Sequence, residues 1–177
     1  MQAEQFVEKL KNFYTSTFDL EPDHRLGGEV YDVYGHFNVD SSRYVLVKKA
    51  KLWEANSQEH LFIRNWKAEE GPLTPEKLQQ LIRPLEEEAE PRYVRKGEKY
   101  PPKDHMYSFL TLIVVTDGAI EEETIRFAKK YKFGKTYLFN FRGYLETRLV
   151  LVSMKEHQVT TNQMGKELKK TYQKLMG

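Results

Sequence analysis

Ser108-Phe109-Leu110-Thr111-Leu112-Ile113-Val114-Val115-Thr116 is the most hydrophobic strand-forming stretch of the chain, and it stops at the turn dipeptide Asp117-Gly118. A strand with one wet face alternates in polarity, whereas this one is apolar on both faces. It therefore predicts a strand at the centre of a sheet, covered by helices on both sides. The segment Glu121 to Lys132 follows as a helix, with three glutamates at its start and Lys129, Lys130 and Lys132 at its end, the sense that the helix dipole favours. Gly134 reads as its C-cap. A buried strand leading into an amphipathic helix sets the fold class: α/β bordering on α+β, a mixed sheet flanked by helices.

Upstream, Phe6, Val7, Leu10, Phe13 and Tyr14 recur at helical spacing from Gln2 to about Thr17, and Pro22 closes that segment. Three strand-like runs come next, Val30 to Val39, Arg43 to Trp53 and Glu59 to Trp66. The turn formers Asp40-Ser41-Ser42 and Asn56-Ser57-Gln58 separate them, which predicts an N-terminal antiparallel three-strand meander. In the first run Tyr31, Val33, Phe37 and Val39 share one face, while Asp32, Tyr34, His36 and Asp40 share the other. Thr74-Pro75-Glu76 opens a helix with a hydroxyl cap, proline in the first turn and an acid beside the positive dipole end. Pro84 interrupts its stripe of Leu78, Leu81, Ile82 and Leu85, and Pro91 to Asp104 reads as irregular. Downstream, Thr136 to Arg142 and Leu145 to Met154 read as two strands meeting near Gly143. A helix carrying Leu168, Tyr172 and Leu175 closes the chain, with Thr161 or Asn162 as its cap.

The 177 residues suffice for one substantial core, and no linker divides them, so residues 1–177 read as a single domain. Cysteine is absent, which excludes disulfides, thiolate nucleophiles and cysteine-ligated metal centres. The first residues lack a signal-peptide core and no apolar run is long enough to span a bilayer, so a cytoplasmic location without a membrane partner is expected. A net charge of +2 gives no whole-molecule pull toward nucleic acid; a local patch is needed for that.

The order helix, three-strand meander, helix, strand, helix, strand is similar to the core of the restriction-endonuclease-like superfamily, over about residues 2–154. That resemblance implies an Asp at one strand end and Glu-x-Lys in the next strand, gathering a divalent ion and an attacking water beside a phosphate. In this chain Glu59 is followed two residues later by Leu61, and Glu54 by Asn56. A nuclease would have to draw on Asp32, Asp40, Lys49, Lys51, Glu54 or Glu59. The chain as a whole also resembles one of the small uncharacterised bacterial domain families, through Ser42-Arg43-Tyr44-Val45-Leu46-Val47 and Arg148-Leu149-Val150-Leu151-Val152.

Other candidates lie outside the meander. Arg92, Tyr93, Arg95, Lys96, Lys99, Tyr100 and Lys103 interleave cations with rings, a composition suited to single-stranded nucleic acid and equally to a solvated proline-rich connection. His36 and His60, with Asp32, suggest a metal site or, more simply, hydrogen-bonded sheet histidines. Asp117 holds the position where open sheets bind ligands, or merely turns the chain into the next helix. Tyr137, Phe139, Phe141 and Tyr144 offer aromatic area for a homodimer or for the core. No metal or cofactor motif is present. Taken together the residues predict a non-catalytic binding or regulatory domain, with a divergent nuclease and a single-strand nucleic-acid binder as alternatives.

Overall fold

The computed structural model describes residues 1–37 and 57–177. The expected strand Arg43 to Trp53, and with it Asp40, Lys49, Lys51 and Glu54, lies outside the described residues.

The apolar stretch is the central strand β4 (Tyr107–Thr116), paired in parallel on both sides, to β3 (Ser57–Trp66) and to β6 (Tyr144–Ser153). Its side chains divide between two cores: Leu110, Leu112 and Val114 enter one, Ile113 and Val115 the other. That division explains why the sequence does not alternate. Over the first face lie α2 (Pro75–Pro84), α3 (Glu122–Lys130) and the π-helical segment Leu85–Val94 that continues α2. Over the second lie α1 (Ala3–Tyr14) and α4 (Leu168–Met176). With β1 (Phe18–Leu26), β2 (Glu29–Phe37) and β5 (Gly134–Thr136), the sheet among the described residues has the order β1-β2-β3-β4-β6-β5, with β7 (Gln158–Thr161) also on β6.

Local signals place most of these elements. The Thr74 hydroxyl accepts the Lys77 N–H (3.3 Å) at the start of α2. At Pro84, which has no N–H to donate, the regular helix gives way to the π-helical turns. Those turns carry the helix to Val94, so Pro91 lies inside a helical segment rather than at the start of a loop.

Six expectations need correction. Pro22 does not end a helix: α1 stops at Tyr14, and Pro22 sits in β1 (Phe18–Leu26), the outermost strand among the described residues, a position where a missing N–H is tolerated. The meander is therefore β1, β2 (Glu29–Phe37) and β3. Its first turn is Gly27-Gly28, both at positive φ, and β2 pairs directly with β3 through Val33 and Ile63. Tyr31 and Val33 serve opposite cores, because the strand changes face at Asp32, whose carboxylate takes the Asn65 N–H (2.7 Å). Gly134 does not cap α3; it begins the short strand β5 (Gly134–Thr136), where an added Cβ would stand 2.9 Å from the Leu145 carbonyl oxygen. The expected strand Thr136 to Arg142 is mostly a loop, with Leu138, Phe139 and Asn140 all at positive φ, and Asn162 is not the cap of α4 but sits buried beside β6.

Candidate functional site

At the amino ends of the three parallel strands the α1-side face turns polar. In register, Ile63, Ile113 and Val150 form an apolar row, the row below holds Leu61, Thr111 and Arg148, and the row below that holds Glu59, Phe109 and Glu146. Arg148 organises this end. Its guanidinium carbon lies 3.4 Å from the centroid of the Phe109 ring, a stacked cation–π contact. One terminal nitrogen meets Glu59 Oε1 at 3.3 Å, and the other meets Glu167, just before α4, at 2.6 Å. The Thr111 hydroxyl donates to the same Glu59 oxygen (3.1 Å). Arg148 Nε is buried without a hydrogen-bond partner.

Burial pushes the Glu59 carboxyl above the ordinary carboxylate range, against the pull of Arg148 and the Thr111 hydroxyl. Just above, the buried hydroxyls of Tyr14 and Tyr172 bond to each other and tie α1 to α4. Outside Arg148 a cleft of about 750 Å³ opens, with Phe109 and Met164 as its apolar lining and Glu146, Lys166, Glu167 and Lys170 as its charged residues.

The carboxyl ends of β4 and β6, by contrast, are tied to their surroundings, and at that end of β3 Asn65 and Lys67 line only a small depression of about 190 Å³ beside α1. Asp117 accepts the Ala3 N–H (2.7 Å), capping α1, and the Ser153 hydroxyl donates to the Gly118 carbonyl (2.8 Å). Asp117 is thus one of the ties at the end of β4.

Of the carboxylates expected to gather in a nuclease centre, Asp32 and Glu59 are described, and they stand apart. By register Asp32 lies beside Arg64, five positions along β3 from Glu59, a separation of roughly 17 Å at strand rise. Asp32 meets Arg64 (3.4 Å), which also holds Glu70 (2.5 Å). Among the described residues no three His, Asp or Glu side chains are placed to share a metal ion.

His36 and His60 do oppose each other on β2 and β3, with rings stacked at 4.9 Å, and His60 Nδ1 lies 2.8 Å from the Tyr34 hydroxyl. His24 stacks on Tyr34 (4.3 Å) and bonds the Tyr93 hydroxyl (3.0 Å), completing an aromatic cluster. Burial, with His36 adjacent, pushes the His60 imidazole down to about 3, so it is neutral at ordinary pH.

The basic loop divides in the same way. Tyr93 and Tyr100 are partly buried against the core. Arg95 Nε donates to Glu90 (2.9 Å), and Arg92 and Lys99 lie over the tyrosine rings, at 5.3 Å in each case. Lys96 and Lys99 are exposed. Of the aromatic group around Gly143, Tyr137 is buried and bonds Glu90 (2.7 Å), whereas Phe139 and Phe141 stand almost fully in solvent.

Sequence reasoning missed the cleft. Its legible signals are Glu146 and Arg148, charges inside the otherwise apolar run Leu145 to Met154; Phe109, Glu167 and the lysines carry no signal of their own. No helix among the described residues is long and apolar enough to cross a membrane. A family model described as a domain of unknown function (DUF8052) matches residues 2–174. No curated protein and no solved structure matches the chain, so nothing of either kind stands behind the restriction-endonuclease-like order.

Proposed function

We propose that this chain, which belongs to the DUF8052 family of domains of unknown function, is a non-catalytic binding domain that takes a small anionic ligand against Arg148. The observation that carries the proposal is the unequal hold on that guanidinium. Glu59 grips it from within the sheet, whereas Glu167 grips it from the rim with a side chain 65% exposed. An exposed carboxylate on an arginine is exchangeable, because water compensates its release. An incoming carboxylate or phosphate makes the same charge-assisted bonds in its place. Lys166 and Lys170 add positive potential at the edge, and Phe109 and Met164 receive an apolar portion of the ligand. Arg148 is engaged at both ends by carboxylates, an arrangement that favours holding charge over moving a proton.

Titration of the labelled protein with inorganic phosphate and with hexanoate, followed by NMR, tests this. Shifts confined to Phe109, Arg148 and Met164 are expected. Glu167→Gln should bind more tightly, because the competing carboxylate is gone. No shift up to about 10 mM ligand, the weak end of measurable affinity, would end the proposal. Nucleic-acid cleavage above background with Mg²⁺ or Mn²⁺ would favour a divergent nuclease instead. A bacterial, cytoplasmic setting goes with this reading and is checked by cell fractionation.

A further inference from the structure

The loop between β5 and β6 presents two phenylalanines to solvent, Phe139 at 93% and Phe141 at 83% exposure. A lone exposed apolar residue is ordinary, but two bulky rings this free, one residue apart, are not. The backbone holds them out. Leu138, Phe139 and Asn140 have φ of 48°, 52° and 72°, a run of left-handed conformations that L residues disfavour. Four amides of the loop bond within it and fix its shape: Phe141 N–H donates to the Leu138 carbonyl, Arg142 to Tyr137, Gly143 to Asn140, and Tyr137 to Gly143.

Cations flank the tip and are set back from it. On one side the Arg142 guanidinium donates to the Pro101 carbonyl (2.9 Å) and lines a depression with the exposed Lys96 and Lys99, so the basic loop lies beside the aromatic one. On the other, Lys132 lines a second depression with Asn140 and with Lys135, whose ammonium is paired to Glu90 (3.0 Å). Glu98 and Glu146 line the same depressions, and Glu87 and Glu88 stand beside Lys96 on its far side.

We propose that this end of the molecule docks on an anionic lipid bilayer, with Phe139 and Phe141 entering the interface and the flanking lysines meeting the headgroups. Three arguments select that occupant. The two rings stand out from the surface at 93% and 83% exposure, so the tip fits a fluid phase better than a base-stacking platform, where rings lie flat along a groove. The two rings offer about 300–500 Å² at most, short of the ~800 Å² per partner of a stable dimer. An apolar tip with cations behind it matches the layered charge of an anionic membrane surface. The expectation of no membrane partner rested on spanning segments and whole-molecule charge, and neither registers a tip loop.

Flotation with vesicles of equimolar phosphatidylglycerol and phosphatidylcholine, against phosphatidylcholine alone, tests the proposal. The protein should float with the anionic vesicles and not with the neutral ones. Phe139→Ser with Phe141→Ser should cut binding about tenfold or more. Lys99→Gln and Lys132→Gln should each cut it about fivefold. All four positions are exposed, and unchanged circular dichroism and urea midpoints will show that the variants fold. Failure of the protein to float with anionic vesicles overturns the proposal, as does equal flotation of the double serine variant. Phenylalanine-dependent dimers in sedimentation without vesicle binding would assign the tip to a second copy. Phenylalanine-dependent binding of an oligonucleotide in preference to vesicles would assign it to nucleic acid. Either result also refutes the bilayer.

Discussion

Replacing Glu90 by Gln removes one negative charge and leaves the shape of the side chain intact, which makes it a clean measure of the joint between the π-helical segment and the β5–β6 hairpin. Glu90 is only 1% exposed, yet three elements converge on it. Tyr137 donates to Oε1 at 2.7 Å, Arg95 Nε donates to the same oxygen at 2.9 Å, and the Lys135 ammonium lies 3.0 Å from Oε2. Burial alone would raise this carboxyl, but the bonds from Arg95, Tyr137 and Lys135 outweigh it and hold the group below its ordinary range. In the variant the Tyr137 and Arg95 bonds survive in weaker, neutral-acceptor form, a loss of about 1 kcal/mol each. Lys135 faces an amide donor, but at 42% exposure it turns to water for less than about 1 kcal/mol. The sum is about 2–3 kcal/mol, or a melting temperature lower by roughly 4–12 °C for a chain of this size.

The pH dependence has a definite sign. A depressed carboxyl contributes its full stability above the unfolded value of about 4.3 and loses it as pH falls through the lower folded value. The gap between wild type and Glu90→Gln in urea unfolding should therefore be largest near neutral pH and close in acid. A gap under about 0.5 kcal/mol at neutral pH, or one that widens on acidification, would refute the idea that ionised Glu90 holds this joint.

Gly143→Ala should cost more than about 3 kcal/mol or prevent soluble folding, because φ is +75° and the new Cβ would stand 2.1 Å from the Met106 carbonyl oxygen. Gly28→Ala, at φ +82° with open space around it, should cost only about 1–2 kcal/mol in the same denaturation assay. Asn162→Ala should lose about 3–4 kcal/mol and speed hydrogen exchange at the Leu149 amide. It removes the acceptor of the Leu149 (3.0 Å) and Gly165 (2.9 Å) N–H groups and the donor to Thr147 (2.8 Å). His60 is held neutral in the folded state down to about 3, whereas an unfolded histidine protonates near 6.5, so its contribution is full above about 6.5 and is lost as pH falls. His60→Phe should flatten the stability-versus-pH curve between those values by up to about 1.4 kcal/mol per pH unit, and an unchanged slope would refute this.

The parts of the fold that were legible are those where one residue's environment decides its type. β4 was readable because burial on both faces leaves a continuous apolar run. The start of α2 was readable because Thr74, Pro75 and Glu76 each meet a separate demand of a helix terminus. β1 was not, because Phe18-Asp19-Leu20-Glu21-Pro22-Asp23-His24 belongs to a sheet edge, where charges and proline are tolerated and the apolar signal thins. Gly27-Gly28 was the overlooked clue, being a pair suited to a two-residue hairpin turn. The Arg148 cleft was illegible for a different reason. Glu59 lies 52 residues from Thr111 and 89 from Arg148, and only the parallel register of three strands brings them to one oxygen.

That register also explains why a cleft forms at this end. α1 begins at the carboxyl end of the sheet, where Asp117 holds its first N–H, and its 12 residues reach at most about 18 Å. α4 contributes nine residues, about 14 Å, while the ten residues of β4 extend about 33 Å. α1 ends at Tyr14, α4 begins at Leu168 just after the Glu167 that pairs with Arg148, and among the described residues no helix of this face covers the rows beyond. On the opposite face α2 and the π-helical segment together supply 20 residues, and apolar side chains there continue down to Leu145. Where cover ends, an apolar row would meet water, so the row holding Thr111 and Arg148 and the row holding Glu59 and Glu146 turn polar. Arg148 suits that border because its planar group lies on the Phe109 ring, protecting apolar surface while its ends remain able to bind carboxylates. The cleft thus follows from a mismatch of helix and strand length, and its charge follows from the way the sheet meets solvent at the uncovered end.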